Sequence, residues 1–309
     1  MRLPDRIRTQ ELIGLSYVPA RDYVSFNIPK KDGSLRPIKY PRRYALKNAQ
    51  RNAREYLKDY LPIHEAACAF ISGRGCRSAL EPHKRNRFML HLDMSNFFPS
   101  FTQEHVYRWI RTCSSQLSSS DITLLSYILT DDTNHVCQGC ITSPWLTNTL
   151  MYRFDKYMYT YASKVLHGAY TRYADDLFIS SDRPISVERV LTIVNAHLPN
   201  GVHINENKTR VIRQQSDSHD FLGMNISTYD KDIKIGWKRR HVLKVICHKA
   251  ELGQLSEDDF RLWAGRLHWY ESCEPALKEQ HRFDVLRKEY NLNGTTVSNA
   301  EVGKSLTSN

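Results

Sequence analysis

Residues 170–180 read YTRYADDLFIS, a run of aromatic and aliphatic residues interrupted by two adjacent carboxylates, Asp175 and Asp176. Apolar residues on both sides of the pair predict a strand, a tight turn and a second strand. Two neighbouring like charges repel, and removing them from water costs more still. A chain that closes this hairpin must leave the pair at a solvated corner or face it with positive charge. For an isolated Asp-Asp dipeptide the solvated corner is the ordinary outcome, because aspartate is a common turn residue. A third carboxylate opens the other reading. RFMLHLDMSNFFPSF (87–101) reads as an apolar strand ending on Asp93, then turning at Pro99. Carboxylates gathered on strand ends make a hard-oxygen donor set suited to Mg²⁺, which keeps several waters and needs few protein ligands. Two such ions about 3.5–4 Å apart are what phosphoryl transfer asks for. Alternation along a strand relaxes at a turn, so both acids of the pair can reach the ions, with Asp175 the better placed to bridge them.

Charge points to the same class of partner. Lys and Arg number 44 against 33 Asp and Glu, a formal net charge of +11. That balance favours a polyanion, nucleic acid before an anionic membrane surface. With 41% hydrophobic and 25% charged residues the 309-residue chain is of ordinary soluble composition, long enough for two or three packed subdomains. No run approaches the ~18 apolar residues of a membrane span. The opening MRLPDRIRTQELIGL lacks the apolar stretch of a secretory signal. Seven scattered cysteines do not suggest a disulfide framework, so a reducing cytoplasm is expected. CQGC (Cys137, Cys140) has metal or redox spacing, but no second ligand pair stands near it in sequence, and coincidence is the better reading.

Along the chain, YVSFNIPKKDGSLRPIKYP (23–41) predicts a basic hairpin turning at KKDGS, and residues 42–61 a helix with one cationic face. Residues 102–133 read as helices around a serine-rich loop, and 143–166 as one long amphipathic helix with Ser143 at the N-cap and Pro144 at its first position. A helix over 186–199 is followed by strands in VHINENKTRVI and DFLGMNIS. From about residue 230 come a short basic hairpin, DKDIKIGWKRR, and two or three helices ending near Tyr290, then a polar tail (292–309) expected to be disordered. Strands alternating with helices, with acids on the strand ends, predict an α+β fold, a sheet with helices on one face.

These stretches fall in a familiar order. YADD resembles the YxDD box of reverse transcriptases, and LHLDMSNFFPSF resembles the first palm carboxylate motif. QGCITSPWLTN resembles the QGxxxSP box, INENKT the short motif after the YxDD hairpin, DFLGM the primer grip, and IPKKDGSLRPI the fingers hairpin. The resemblance runs from about residue 20 to 290 and implies the right-hand polymerase fold. Fingers would occupy 1–85, the palm 86–229 with inserted fingers helices at about 102–135, and a helical, RNA-binding thumb 230–291.

Roles follow by resemblance, residue by residue. Asp93, Asp175 and Asp176 correspond to the triad holding two Mg²⁺ ions, and Lys208 to a lysine that protonates or holds the leaving pyrophosphate. Lys30, Lys31 and Arg36 correspond to the triphosphate clamp, where Arg suits bidentate contact and Lys supplies a point charge. Phe98 corresponds to the ring that crowds the sugar 2′ position and so favours dNTPs, whereas Phe97 reads as core. Gln138 and Gly139 correspond to the nucleotide-contacting turn. Tyr173, Ala174, Phe221, Leu222 and Gly223 correspond to the groups around the primer end. Trp237, Lys238, Arg239, Arg240 and Lys244, with His241, mix basic and aromatic side chains suited to RNA.

YTRYADD, the TSP form of the QG box and a thumb ending in RKEY resemble retron reverse transcriptases. Such enzymes bind a structured non-coding RNA encoded beside them, prime from its 2′-hydroxyl, and make branched single-stranded DNA (msDNA) in anti-phage defence, usually with an effector protein. Two stretches depart from the retron pattern: SALEPH stands for NAxxH, keeping His83, and FLG stands for VTG. A non-retron defence-associated or group II intron-like enzyme, and an RNA-binding scaffold that restrains an effector, are the alternatives.

Overall fold

The computed structural model describes residues 21–30, 33–213, 220–227 and 231–287. Lys31, the residues after Arg287 and the expected polar tail lie outside these. The basic hairpin forms as β1 (Tyr23–Pro29) and β2 (Leu35–Pro41), paired in full register from Tyr23↔Pro41 to Pro29↔Leu35. Helix α1 (Tyr44–Leu57) follows, burying Leu46, Ala49, Ala53 and Leu57 at helical spacing while Arg51, Arg54 and Lys58 stay outside. Short α2 (Cys76–Leu80) leads into the central strand β3 (Phe88–Ser95).

β3 has two different neighbours. On one side it pairs antiparallel with β5 (Asp176–Ser181), which in turn pairs with β4 (Ala169–Tyr173). On the other it pairs first with β7 (Arg210–Arg213) and, further along, with the short β6 (His203–Ile204). Between β6 and β7 a 3₁₀ turn, Glu206–Lys208, lies opposite the Asp93 end of β3.

Period-two alternation gives this sheet two faces. Leu90, Leu92, Met94, Leu177, Ile179 and Tyr170 join one core with α1, α3 (Gln103–Cys113), α4 (Ser119–Ile128), α5 (Ser143–Leu150), α6 (Tyr152–Lys164) and α7 (Val187–His197). Met89, Phe178 and Ile212 point the other way. They join a second core built from α2, a β8–β9 hairpin (Met224–Ile226 and Ile233–Ile235), α8 (Trp237–Glu251) and α9 (Glu257–Cys273). The expected sheet with helices on one face is therefore present, and its opposite face is covered at the end away from Asp93.

Two local expectations change. The single helix over 143–166 is two, α5 and α6, meeting at Met151. Thr147 and Thr149 hydroxyls donate back to carbonyls of their own helix, a pattern that bends helices. The N-cap is Thr142, so Ser143 and Pro144 take the first two positions. The segment 230–240 is not a hairpin of its own. Its strand β9 pairs backward with β8, and Gly236 ends it so that Trp237 opens α8. No helix among the described residues is long and apolar enough to cross a membrane.

Candidate active site

Register sets the first geometry of the site: Asp93, near the end of β3, lies directly opposite Asp176, the first residue of β5. Asp175 is the second residue of the two-residue turn joining β4 to β5, and its carbonyl accepts from the Met94 amide at 2.9 Å. Ala174, the first turn residue, has φ of +55°, a conformation ordinarily left to glycine. Strained backbone of this kind costs of order 1–3 kcal/mol and gathers where surroundings over-determine it. The three sequence-expected acids are thus brought to one open end of the sheet.

Their charges act on one another. Asp175 is pushed up to about 6, first by burial, then by the carboxylate of Asp176, with Asp93 adding to the rise and Arg36 opposing it. A carboxyl raised first by burial and then by two neighbouring carboxyls sits in a cluster of hard oxygen donors, the chemistry a divalent cation fits. As the side chains stand, other groups hold their oxygens. Lys208 Nζ donates to Asp93 at 2.9 Å, which keeps the ammonium charged, and His91 Nε2 meets Asp176 Oδ1 at 2.6 Å. Among the described residues no three His, Cys, Asp or Glu side chains are arranged to enclose a metal ion.

His91 was not singled out in the sequence. It sits two residues before Asp93, so the period of the strand puts both on one face. Its ring stacks on Phe178 (4.9 Å, 12°) and meets Phe221 edge-on at 6.2 Å. Phe221 opens the DFLGM turn: its amide and carbonyl bond to those of Met224, with Leu222 and Gly223 both at positive φ. That is a type I′ turn by its dihedral signs. The expected primer-grip residues are therefore joined through one imidazole to an acid of the triad. Tyr173 is half-buried beside the Cys76 thiol, and desolvation, helped by that thiol, holds its phenol strongly protonated.

The nucleotide-handling residues approach from the fingers. Arg36 lies on β2, paired with Ile28, and Lys30 is exposed at the start of the hairpin loop. The Lys39 amide donates to the Gln138 carbonyl at 2.8 Å. Gly139 has φ of +122°, and a Cβ there would stand 2.5 Å from the Lys39 carbonyl oxygen, so only glycine lets the QG turn meet β2 this closely. Beneath this turn the free, buried thiols of Cys137 and Cys140 lie side by side. Phe97 is buried, in line with its reading as core, while half-buried Phe98 packs edge-on to it at 5.5 Å. Phe70, missed in the sequence, is 54% exposed at φ of +61° with its ring 6.4 Å from that of Phe98. A bulky residue in that conformation is uncommon, and no sequence signal announced it.

The RNA-binding candidates divide. Trp237 is 74% exposed and stacks on His241 (5.6 Å, 14°), with Lys238 and Lys244 exposed on the same helix. Arg239 and Arg240 instead are held in ion pairs within the chain. Arg239 pairs with Asp220 and donates to the Gly223 carbonyl, and Arg240 pairs with Glu274. His83, retained from the departed box, is fully buried between Ser180 Oγ (2.6 Å) and Thr171 Oγ1 (2.8 Å), and desolvation drives it down to about 3.

Comparison with known proteins accords with this arrangement. Residues 28–226 match the family described as reverse transcriptase (RNA-dependent DNA polymerase). The chain is 32% identical over 269 residues to the Myxococcus xanthus retron Mx162 reverse transcriptase, covering 76% of this chain and 54% of that protein. To the Escherichia coli retron Ec83 reverse transcriptase it is 26% identical, with 88% of each covered. The chain spans about half the length of the Myxococcus relatives it matches. Among solved structures, apo telomerase from Candida tropicalis superposes with a TM-score of 0.53 at 13% identity, over 94% of this chain and 60% of that one. That likeness is one of fold.

Proposed function

Since the chain belongs to the reverse transcriptase (RNA-dependent DNA polymerase) family, we propose that it copies a structured non-coding RNA encoded beside it into single-stranded DNA. The proposed mode is that of retrons: synthesis of msDNA primed from an RNA 2′-hydroxyl, in the bacterial cytoplasm, within an anti-phage system that includes an effector protein. The observation that carries this reading is the meeting of Asp93, Asp175 and Asp176 at one end of the sheet, with Arg36 close enough to act on Asp175. The similarity to retron enzymes adds the choice of RNA and primer.

Reverse transcriptases use divalent metal ions, and the acids here would hold two Mg²⁺. Bound there, the ions would lower the pKa of the attacking hydroxyl and offset charge on the leaving pyrophosphate. The chain's own groups do the rest. Arg36, Lys30 and Lys31 bind and orient the triphosphate. Lys208, kept charged beside Asp93, supplies a proton or a cation to the departing phosphates. Phe98 closes the space a ribose 2′-hydroxyl would need. Gln138 and Gly139 support the incoming nucleotide, and Tyr173, Ala174 and the Phe221–Gly223 turn hold the primer terminus. Exposed Trp237 and His241, with Lys238 and Lys244, offer a stacking and phosphate-binding face to RNA.

The test is to co-express the protein with its neighbouring RNA and supply dNTPs and Mg²⁺. DNA that disappears in Asp175→Ala and remains joined to RNA through a 2′–5′ linkage supports the reading. DNA linked otherwise points to another priming mode. A defence phenotype that survives Asp175→Ala points to an RNA-binding scaffold.

A further inference from the structure

Arg172, in the middle of TRYADD, belongs to neither the metal-binding nor the nucleotide-handling set, yet among the described residues it is the largest side chain to be wholly buried. Burying a guanidinium is costly unless its partners are complete and well placed. Arg172 lies on β4 on the helix side of the sheet, beneath the turn that carries Asp175. Its Nε donates to both carboxylate oxygens of Asp155 (2.9 and 3.2 Å), and Nη2 donates to Oδ2 at 2.7 Å. Nη1 reaches the other way, to Asn148 Oδ1 at 3.0 Å and to the carbonyl of Ala174 at 3.1 Å.

Each of those partners is itself anchored. Asp155, on α6, also accepts from the Tyr170 hydroxyl at 2.7 Å, and Asn148, on α5, donates to the Ala69 carbonyl at 2.8 Å. The Arg172 backbone is tied to Ala66 and Cys68, both bonds at 2.8 Å. The guanidinium is thus a rigid bracket with one free function, the bond to Ala174. That carbonyl belongs to the positive-φ residue of the turn, immediately before Asp175, whose own carbonyl is held by Met94. Asp175 is therefore fixed by one hydrogen bond before it and one after it. The bracket also lies 5.9 Å from the ring centre of Phe97, which packs on Phe98.

We propose that Arg172 is a positioning residue for polymerisation: the buried Asp155–Arg172 pair holds the strained turn through the Ala174 carbonyl and so sets Asp175 for catalysis. The proposal rests on the polymerase reading of the site. It requires the planar fork rather than the charge alone, because a lysine ammonium cannot span Asp155, Asn148 and Ala174 together.

The experiment compares Arg172→Lys with Tyr170→Phe in the full chain bound to its RNA. Tyr170→Phe removes a partner of Asp155 on the far side of the pair and leaves the arm to the turn in place. Three quantities are read: kcat and KM for dNTP, the thermal midpoint, and hydrogen exchange at the Met94 amide by mass spectrometry. The expected result for Arg172→Lys is a kcat at least ten-fold lower with KM within two-fold and faster exchange at Met94. Tyr170→Phe is expected to lower the midpoint by as much or more, with kcat near wild type. The proposal is overturned if Arg172→Lys keeps kcat within two-fold, or if both variants lose kcat in proportion to their midpoints. Should Arg172→Lys not fold, Ala174→Gly loosens the same turn without touching the ion pair. A lower kcat with faster Met94 exchange at an unchanged midpoint supports the proposal, and an unchanged kcat sinks it. If the wild type makes no DNA, the polymerase reading fails instead, and the exchange at Met94 alone judges the bracket.

Discussion

The β4–β5 hairpin carries polar groups at both ends of one ladder and treats them in opposite ways. Away from the turn, His83 is shut between two hydroxyls, with Asn86 donating to the same Ser180 oxygen at 2.7 Å. Under the turn, Arg172 and Asp155 satisfy each other in full burial. At the tip, Asp175 is raised to about 6 by burial and by the acids beside it. Buried polar groups are ordinarily paired, and these first two clusters obey that rule from within the chain. The third is compensated only in part: Lys208 and His91 meet Asp93 and Asp176, while Asp175 stays raised. A fold that neutralises one set of charges this thoroughly and leaves another exposed to its own repulsion has separated architecture from chemistry along a few residues of strand.

The contrast can be broken, starting from its largest expected effect. Asp93→Asn or Asp175→Asn should reduce DNA synthesis by about 10³-fold or more, since several kcal/mol of charge stabilisation at the metal site is lost. The thermal midpoint should not fall, and for Asp175→Asn it should rise as repulsion is relieved. Primer extension and a melting curve on the same preparation check both. Asp155→Ala should do the reverse: an unpaired buried guanidinium costs about 3–5 kcal/mol, read by denaturant unfolding. A loss under 1 kcal/mol would show that the pair is not the structural anchor described here.

Acidity provides a finer test. The folded protein holds the Asp175 proton more tightly than the unfolded chain does, so stability in metal-free buffer should fall as pH rises from about 4 to about 6. From the raised pKa the total is about 3 kcal/mol. Subtracting the same curve for Asp175→Asn isolates it, because His83, with its depressed pKa, contributes the opposite slope, losing stability as pH falls below about 6.5. Saturating Mg²⁺ should flatten the Asp175 part. The smallest effect is expected in the thumb. Trp237→Ala should weaken RNA binding by about 1–3 kcal/mol with unaltered melting, whereas Arg240→Ala should first destabilise the fold through Glu274.

Much of this molecule was legible in advance, for reasons that differ by residue. The fingers hairpin was readable because KKDGS is local turn chemistry, and β3 because its apolar run ends on a charge. The meeting of the three acids was readable because their motifs stand in a recognisable order, and register then put Asp93 opposite Asp176. His91 was hidden, since a histidine in a strand announces nothing until Phe178, Phe221 and Asp176 are seen around it. Arg239 and Arg240 look like their neighbours Lys238 and Lys244, and only Asp220 and Glu274, both distant in the chain, draw them into ion pairs. The break at Met151 was equally invisible to apolar spacing, which continues across it.

By itself the amino-acid order pointed to most element types, the α+β class and three candidate acids, because periodicity, turn residues and carboxylate chemistry are local properties. The tertiary structure decided which charges meet. Strand register put Asp93 opposite Asp176, the 3₁₀ turn between β6 and β7 brought Lys208 to Asp93, and helix α6 supplied Asp155 to Arg172. Electrostatics falls off with distance and depends on burial, and neither quantity exists until the chain has folded.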